Sequence, residues 1–375
     1  MALRCDDQGL QDQVRVVQVD PLADPRWGSF VAQQPGALIY HDPAWLSALE
    51  REYQRKPLGL VCEDGTGTIR GVLALCHTRG VPLRAGGQLS GRRLSSLPRT
   101  PVSGPLALDR DAAAALVQAA VDRARMDGTQ LQIKVASTEL DGIADGLIRI
   151  PWRQSYILDL SEDPDRLGPK DGRARRRNNW AVGKAKRLGV EVRRAETEED
   201  LRAWHHLYLL TMRHLAVPAR PYRFFRALWE TLGPRGSMRL LVAEQVEGGR
   251  ATLLAGSCFL LFGQTVTYAF TGWRREARLL RANDLIHWYA IQDACREGYR
   301  RYDFGEVAAG RDGLAAFKSK WGTQPVPLYR YHFPAPTRIE ADPTGGRWAA
   351  VVGAAWRRLP LWATARLGDW LYSYL

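Results

Sequence analysis

Two side chains near the end of the chain are of types that carry acid–base or charge-stabilising chemistry: Asp303, closing RRYDFG, and Lys318, in LAAFKSKWG. A carboxylate before Phe-Gly can act as a general base, or it can tie down nearby backbone amides. A lysine on an amphipathic helix is either a solvated charge or an ammonium fixed where negative charge develops. Between Lys170 and Arg187 stand eight basic residues and one acid, a net of +7. On a helix, Arg173, Arg176, Arg177, Lys184 and Arg187 fall near one side, and Ala174, Ala181, Ala185 and Leu188 on another. Such a stripe suits a diphosphate or an RNA backbone, or it simply faces water. Further on, Arg278-Leu-Leu-Arg281-Ala-Asn283 leads into DLIHWYAI. Asn283 reads as the N-cap of that helix, with phosphate contact through the helix N-terminus and Arg281 as the second reading.

The elements that must position these residues repeat in two rounds. The first runs through VRVVQV, a helix at AWLSALERE, strands LGLVCED and TIRGVLALCHT, RRLSSLP, and a helix AAAALVQAAVDRAR leading into QLQIKVA. The second has the basic helix near 173–188, VEVRRA, helices TEEDLRAWHHLYLLTMRH and YRFFRALWETL, strands RLLVAEQVE, LAGSCFLLF and TVTYAF, a helix ANDLIHWYAIQDACREG, and RRYDFG. Ala120, Ala124 and Gly128 before QLQIKV are echoed by Ala290, Ala294 and Gly298 before YRRYDFG. In both, small residues four apart allow a helix to lie close on a sheet, and the glycine can end it in the left-handed conformation. The expected domains are 14–160 and 173–333, joined through the polar SEDPDRLGPKDG at 161–172, with an amphipathic segment at 344–375.

Composition bounds the classes. The 375 residues suit about two domains, and 45% hydrophobic with 25% charged residues is the profile of a soluble globular protein. The formal charge of +13 is almost all arginine, since only seven residues are lysine. That fits a polyanionic partner, or an arginine-for-lysine coding bias. Five cysteines at 5, 62, 76, 258 and 295 form neither a disulfide framework nor a CxxC site, so a reducing compartment follows. The start MALRCDDQGLQDQ has no apolar core of a secretory signal, so a cytoplasmic location is expected. The seven histidines include no HExxH or HxH arrangement, so no metal is expected. Twenty-three residues from Ala251 to Trp273 carry no charge, yet Gly256, Gly263 and Gln264 with several Ser and Thr make a buried β-hairpin a better reading than a membrane span. The last thirty residues gather Trp348, Trp356, Trp362 and Trp370 with Arg347, Arg357, Arg358 and Arg366. This pattern suits an anionic membrane surface, packing on the sheet, or a dimer contact.

The stretch ANDLIHWYAIQDACREGYRRYDFGEVAAGRDGLAAFKSKWG resembles the Fem-type aminoacyltransferases and their acyltransferase relatives. The matching features are Asn283, Gly298-Tyr299, Asp303-Phe304-Gly305, Gly313-Leu314, Phe317-Lys318 and Gly322, joined in the first half by LIYHDPAWLSAL, GVLAL, LSSLP and SGPL. The resemblance covers roughly residues 14–333. It implies an α/β (α+β) protein of two tandem GNAT-like domains, each a mixed, mostly antiparallel sheet flanked by helices. It also implies transfer of an aminoacyl group from aminoacyl-tRNA to an amine of a cell-wall or lipid-linked precursor, at the inner face of the membrane, with no bound cofactor.

On this resemblance Lys318 stabilises the oxyanion formed when an amine attacks an ester, and Asp303 is either a general base or structural. Phe317 is a core anchor or flanks the acceptor, Arg213 and Tyr268 face the acceptor, and Arg173, Arg176 and Arg177 contact phosphates. Two departures qualify the substrate. The lysine that tRNA-dependent relatives often carry shortly after the tryptophan matching Trp45 is missing. Both glycine positions of the coenzyme A pyrophosphate loop hold larger residues, Arg281 and Asn283, which obstructs close backbone approach. The alternatives are an acyl-CoA or acyl-carrier-protein dependent N-acyltransferase in polysaccharide, lipid or natural-product synthesis, and a non-catalytic RNA- or membrane-binding module.

Overall fold

Apolar runs bounded by turn residues set the strands, and aspartates start three of the first helices. The computed structural model describes residues 14–54, 56–78, 92–161, 172–336 and 347–372. The chain forms two units, divided between Trp152 and Arg153, with residues 327–336 returning to the first.

The first unit contains β1 (Arg15–Val19), α1 (Pro25–Gln33), α2 (Pro43–Tyr53), β2 (Leu58–Glu63), β3 (Ile69–Thr78), β4 (Arg93–Ser95), β5 (Leu106–Ala107), α3 (Arg110–Met126) and β6 (Gln130–Val135). The sheet is completed by β13 (Gln324–Phe333), in the order β1-β2-β3-β4-β6-β13, with β5 beside β3. Asp24, Asp42 and Asp109 accept backbone N–H groups at the starts of α1, α2 and α3, satisfying donors the helices leave open. Ala112, Leu116, Ala120 and Ala124 of α3 pack on Leu60, Leu73, Leu131 and Ile133.

The second unit takes most of β7 (Ile148–Asp159), then α4 (Gly172–Arg187), β8 (Val190–Arg194), α5 (Glu198–Leu215), α6 (Tyr222–Leu232), β9 (Met238–Glu247), β10 (Arg250–Phe262), β11 (Thr265–Trp273), α7 (Ala282–Arg296), β12 (Arg301–Val307) and α8 (Asp312–Ser319). It also takes the C-terminal helices α9 (Arg347–Arg358) and α10 (Leu361–Tyr372). Its sheet runs β7-β12-β11-β10-β9-β8, antiparallel except for β11 with β12. The uncharged run 251–273 is the expected hairpin, β10 and β11 turning at Gly263-Gln264. Among the described residues no helix is long and apolar enough to cross a membrane.

The echoed segments occupy equivalent places. Ala120, Ala124, Ala290 and Ala294 are all buried, and Gly128 and Gly298 have φ of +58° and +80°. The following strands, β6 and β12, each pair parallel on one side and antiparallel on the other. Besides the two-residue β5, the sequence reading misses β7 (IRIPWRQSYILD) and β13 (QPVPLYRYHF), because an internal proline argues against a strand. Their presence moves the division from 161–172 into β7, and residues 162–171 of that linker lie outside the described residues.

Candidate active site

The site grows from a break in pairing. β11 and β12 are matched at only three positions, Thr265–Arg301 to Thr267–Asp303. Beyond them β12 bulges against β7, where Asp303 to Glu306 on one strand oppose Ile157 to Ser155 on the other. Gly305 takes the extra residue at φ +77°, a conformation costly for any residue with a Cβ. The bulge is held by Asp303, whose Oδ1 accepts the Ser155 hydroxyl at 2.6 Å and the Gly305 N–H at 2.7 Å. Burial pushes the Asp303 carboxyl above its usual range, against these hydrogen bonds and nearby Lys318.

The bulge turns two carbonyls toward α8. Lys318 Nζ donates to Gly305 O at 2.8 Å and to Glu306 O at 3.1 Å. Its side chain is 4% exposed and is the buried one on α8. The solvated-lysine reading is therefore wrong. Burial lowers its pKa to about 8, opposed by the charges of Asp303 and Glu306. Arg153 pairs with Glu306 at 2.6 Å.

Phe317 is not the core anchor of α8. It is only partly buried and lines a cavity of about 190 Å³ with Leu254, Trp273, Arg278, Arg281 and Asn283. A helix this short presents one side chain to the sheet, and the inward position falls to residue 318. Lys320 sits over the Phe317 ring, 4.4 Å from its centre, and is ion-paired with buried Asp284 of α7.

The cavity opens at the start of α7. Asn283 is not the N-cap: α7 begins at Ala282, and the cap is Arg281, in the left-handed region at φ +60° with no side-chain capping bond. The Arg281 side chain thus caps none of the first-turn N–H groups. Arg281 keeps a glycine-like backbone although it is not glycine, and its guanidinium lies 5.5 Å from the Trp180 ring centre. Arg281 Nε and Asn283 Oδ1 are buried without a hydrogen-bond partner among the described residues. At Arg281 the backbone bend a glycine would give is present, with a side chain still attached, and Asn283 keeps its side chain as well.

The remaining sequence candidates divide. Tyr268 stands at the splay, its carbonyl facing Gly305 and its ring 4.6 Å from that of His287. Arg213 is elsewhere, donating to Leu359 O at 3.4 Å, so the structure does not bring it to the cavity. Arg176 and Arg177 are exposed on α4, and the Arg173 side chain lies outside the described residues. Exposure leaves the water-facing reading of the stripe open. The sequence reading missed His287, whose Nδ1 is 2.8 Å from the Tyr302 hydroxyl in a cage with Phe304 and Phe317. Burial, then the charges of Lys320 and Lys318, lowers its pKa to about 3, so it is neutral. A histidine inside an apolar helix gave no spacing signal. Among the described residues no group of His, Cys, Asp or Glu is arranged to hold a metal.

Residues 172–319, which contain this whole cavity and Lys318, match the acetyltransferase (GNAT) domain family. FemX is similar in structure at 16% identity, over 82% of this chain and 95% of FemX, with a TM-score of 0.62. The C-terminal domain of a putative lysylphosphatidylglycerol synthetase from Agrobacterium fabrum is similar at 15% identity, over 88% and 93%, with a TM-score of 0.55. L-PGS from Bacillus licheniformis is similar at 12% identity, over 84% and 93%, with a TM-score of 0.53. No well-characterised protein matches by sequence. Residues 172–319 thus resemble a GNAT acetyltransferase domain, and the chain shares its fold with FemX and with the Agrobacterium fabrum synthetase domain.

Proposed function

We propose that this acyltransferase moves an aminoacyl group from aminoacyl-tRNA to an amine of a cell-wall or lipid-linked precursor. The observation that carries the reading is Lys318, a buried amine held by two carbonyls at the bulge of β12, whose chain neighbour Phe317 lines a cavity. In the reaction the acceptor amine attacks the ester carbonyl carbon. The carbonyl electron pair moves to oxygen, and the tetrahedral intermediate collapses to an amide, releasing the ribose hydroxyl of the tRNA. One proton passes from the attacking nitrogen to the leaving oxygen. The Lys318 ammonium stabilises charge that exists only in the transition state, and Asp303 keeps the bulge in place rather than taking the proton. Similarity in fold to FemX, to the C-terminal domain of a putative lysylphosphatidylglycerol synthetase and to L-PGS supports this choice.

A second reading is favoured by one feature. Arg274, Arg278 and Arg281 line the cavity at the uncapped start of α7, a setting suited to the pyrophosphate of an acyl-CoA. Incubation with labelled charged tRNA and, separately, labelled acyl-CoA, each with cell-envelope extract, distinguishes the donors. Label passing to an amine from tRNA alone is the expected result. Transfer from acyl-CoA alone replaces it with the second reading.

A further inference from the structure

The C-terminal helices are packed by their small side and exposed by their large one. Gly353 of α9 lies where a Cβ would be 3.4 Å from Ala216, and Gly368 of α10 where a Cβ would be 2.8 Å from the Ala219 carbonyl oxygen. Gly353, Thr364 and Gly368 are the buried positions along 351–370. An ordinary core helix buries its large apolar residues instead. Here Val351, Val352, Trp362, Leu367 and Trp370 face outward, with Trp362 65% and Val352 61% exposed. Leu215, at the end of α5 beside the docking point, is exposed as well. Among the described residues, seven of the fifteen exposed large apolar side chains lie in these helices and at 215–217, where α5 ends. A concentration of this kind marks a surface that is covered in use.

The charges say by what. Arg358 and Arg366 are exposed around this face, whereas Arg357 lies by Gly353 on the docked side, and the Arg366 guanidinium lies 5.7 Å from the Trp362 ring centre. The acid of α10, Asp369, is neutralised by Arg223 at 2.5 Å. A second copy meeting this face would set arginine against arginine. An anionic headgroup layer meets every arginine with opposite charge, and the tryptophans bring apolar rings with a polar N–H, suited to the boundary between headgroups and acyl chains.

We propose that the outward face of α9 and α10 docks on an anionic lipid bilayer. Docking needs neither donor nor acceptor, so its test fails or succeeds independently of the transfer reaction. The full-length protein is mixed with vesicles of phosphatidylcholine alone or with phosphatidylglycerol, and sedimented. Binding to the mixed vesicles, released by salt, is expected, with little binding to phosphatidylcholine. Trp362→Ser with Trp370→Ser, and separately Arg358→Gln with Arg366→Gln, should each weaken binding by about tenfold or more. Both variants should keep the wild-type melting curve, because the changed side chains face outward. If the tryptophan variant does not fold, Val351→Ser with Val352→Ser takes its place. Absence of binding, equal binding to neutral vesicles, or a dimer of the free protein broken by the tryptophan changes would overturn the proposal.

Discussion

The two units build the same frame around a helix-following strand and fill it differently. In the first, β6 runs parallel to β4 for three pairs, Arg93–Gln130 to Ser95–Gln132, and the strands then part. The opening is plugged by the chain itself: Leu97, Thr100 and Ser103 are buried, and Ser103 N–H donates to Lys134 O at 3.0 Å. Lys134, buried on β6, spends its amine on Leu97 O at 2.7 Å. In the second unit β12 also parts from β11 after three pairs, but the lysine arrives from a separate helix, and the residue before it, Phe317, lines a cavity. A splayed parallel pair can therefore be a structural joint or a reaction site. What decides is whether the chain closes the gap.

The largest expected effect separates the two lysines. Lys318→Met should lower kcat by about 100-fold, roughly 3 kcal/mol of transition-state stabilisation. Lys134→Met should leave kcat nearly unchanged. Both should lower the melting temperature, since each leaves buried carbonyls without a donor at about 1–3 kcal/mol. Equal losses of turnover would erase the distinction. A second effect concerns proton linkage. The pKa of Lys318 is depressed to about 8 in the folded protein from 10.5, so the unfolded chain binds more protons between those values. Stability from this group should rise with pH across that window by at most about 3 kcal/mol, and denaturant titrations of Lys318→Met should lack the rise. The smallest effect belongs to α4. Changing Arg176 and Arg177 to Gln should flatten the salt dependence of tRNA binding by up to about two units of slope, at under one per phosphate contact. An unchanged slope would assign the stripe to solvent.

Much of the frame was legible because it rests on local signals. The alanine-faced helices with their terminal glycines, the uncharged hairpin at 251–273 and the Phe317-Lys318 pair all stand in the sequence. What escaped depends on contacts distant in the chain. β7 and β13 carry prolines that only their sheet neighbours tolerate. Asp303 takes its role from Ser155, and Arg213 is drawn away by the carbonyl of Leu359. Lys318 and Phe317 exchange the places that polarity alone would give them, because two carbonyls freed by a bulge make burial of the amine favourable.

The most direct test is the pH dependence of kcat for the wild type divided by that for Lys318→Arg, whose guanidinium stays charged throughout the range. If the Lys318 ammonium stabilises the oxyanion, the ratio falls as pH rises through about 8, where the amine loses its proton. A ratio that rises through the same region would show that the neutral amine does the work and would contradict the assignment.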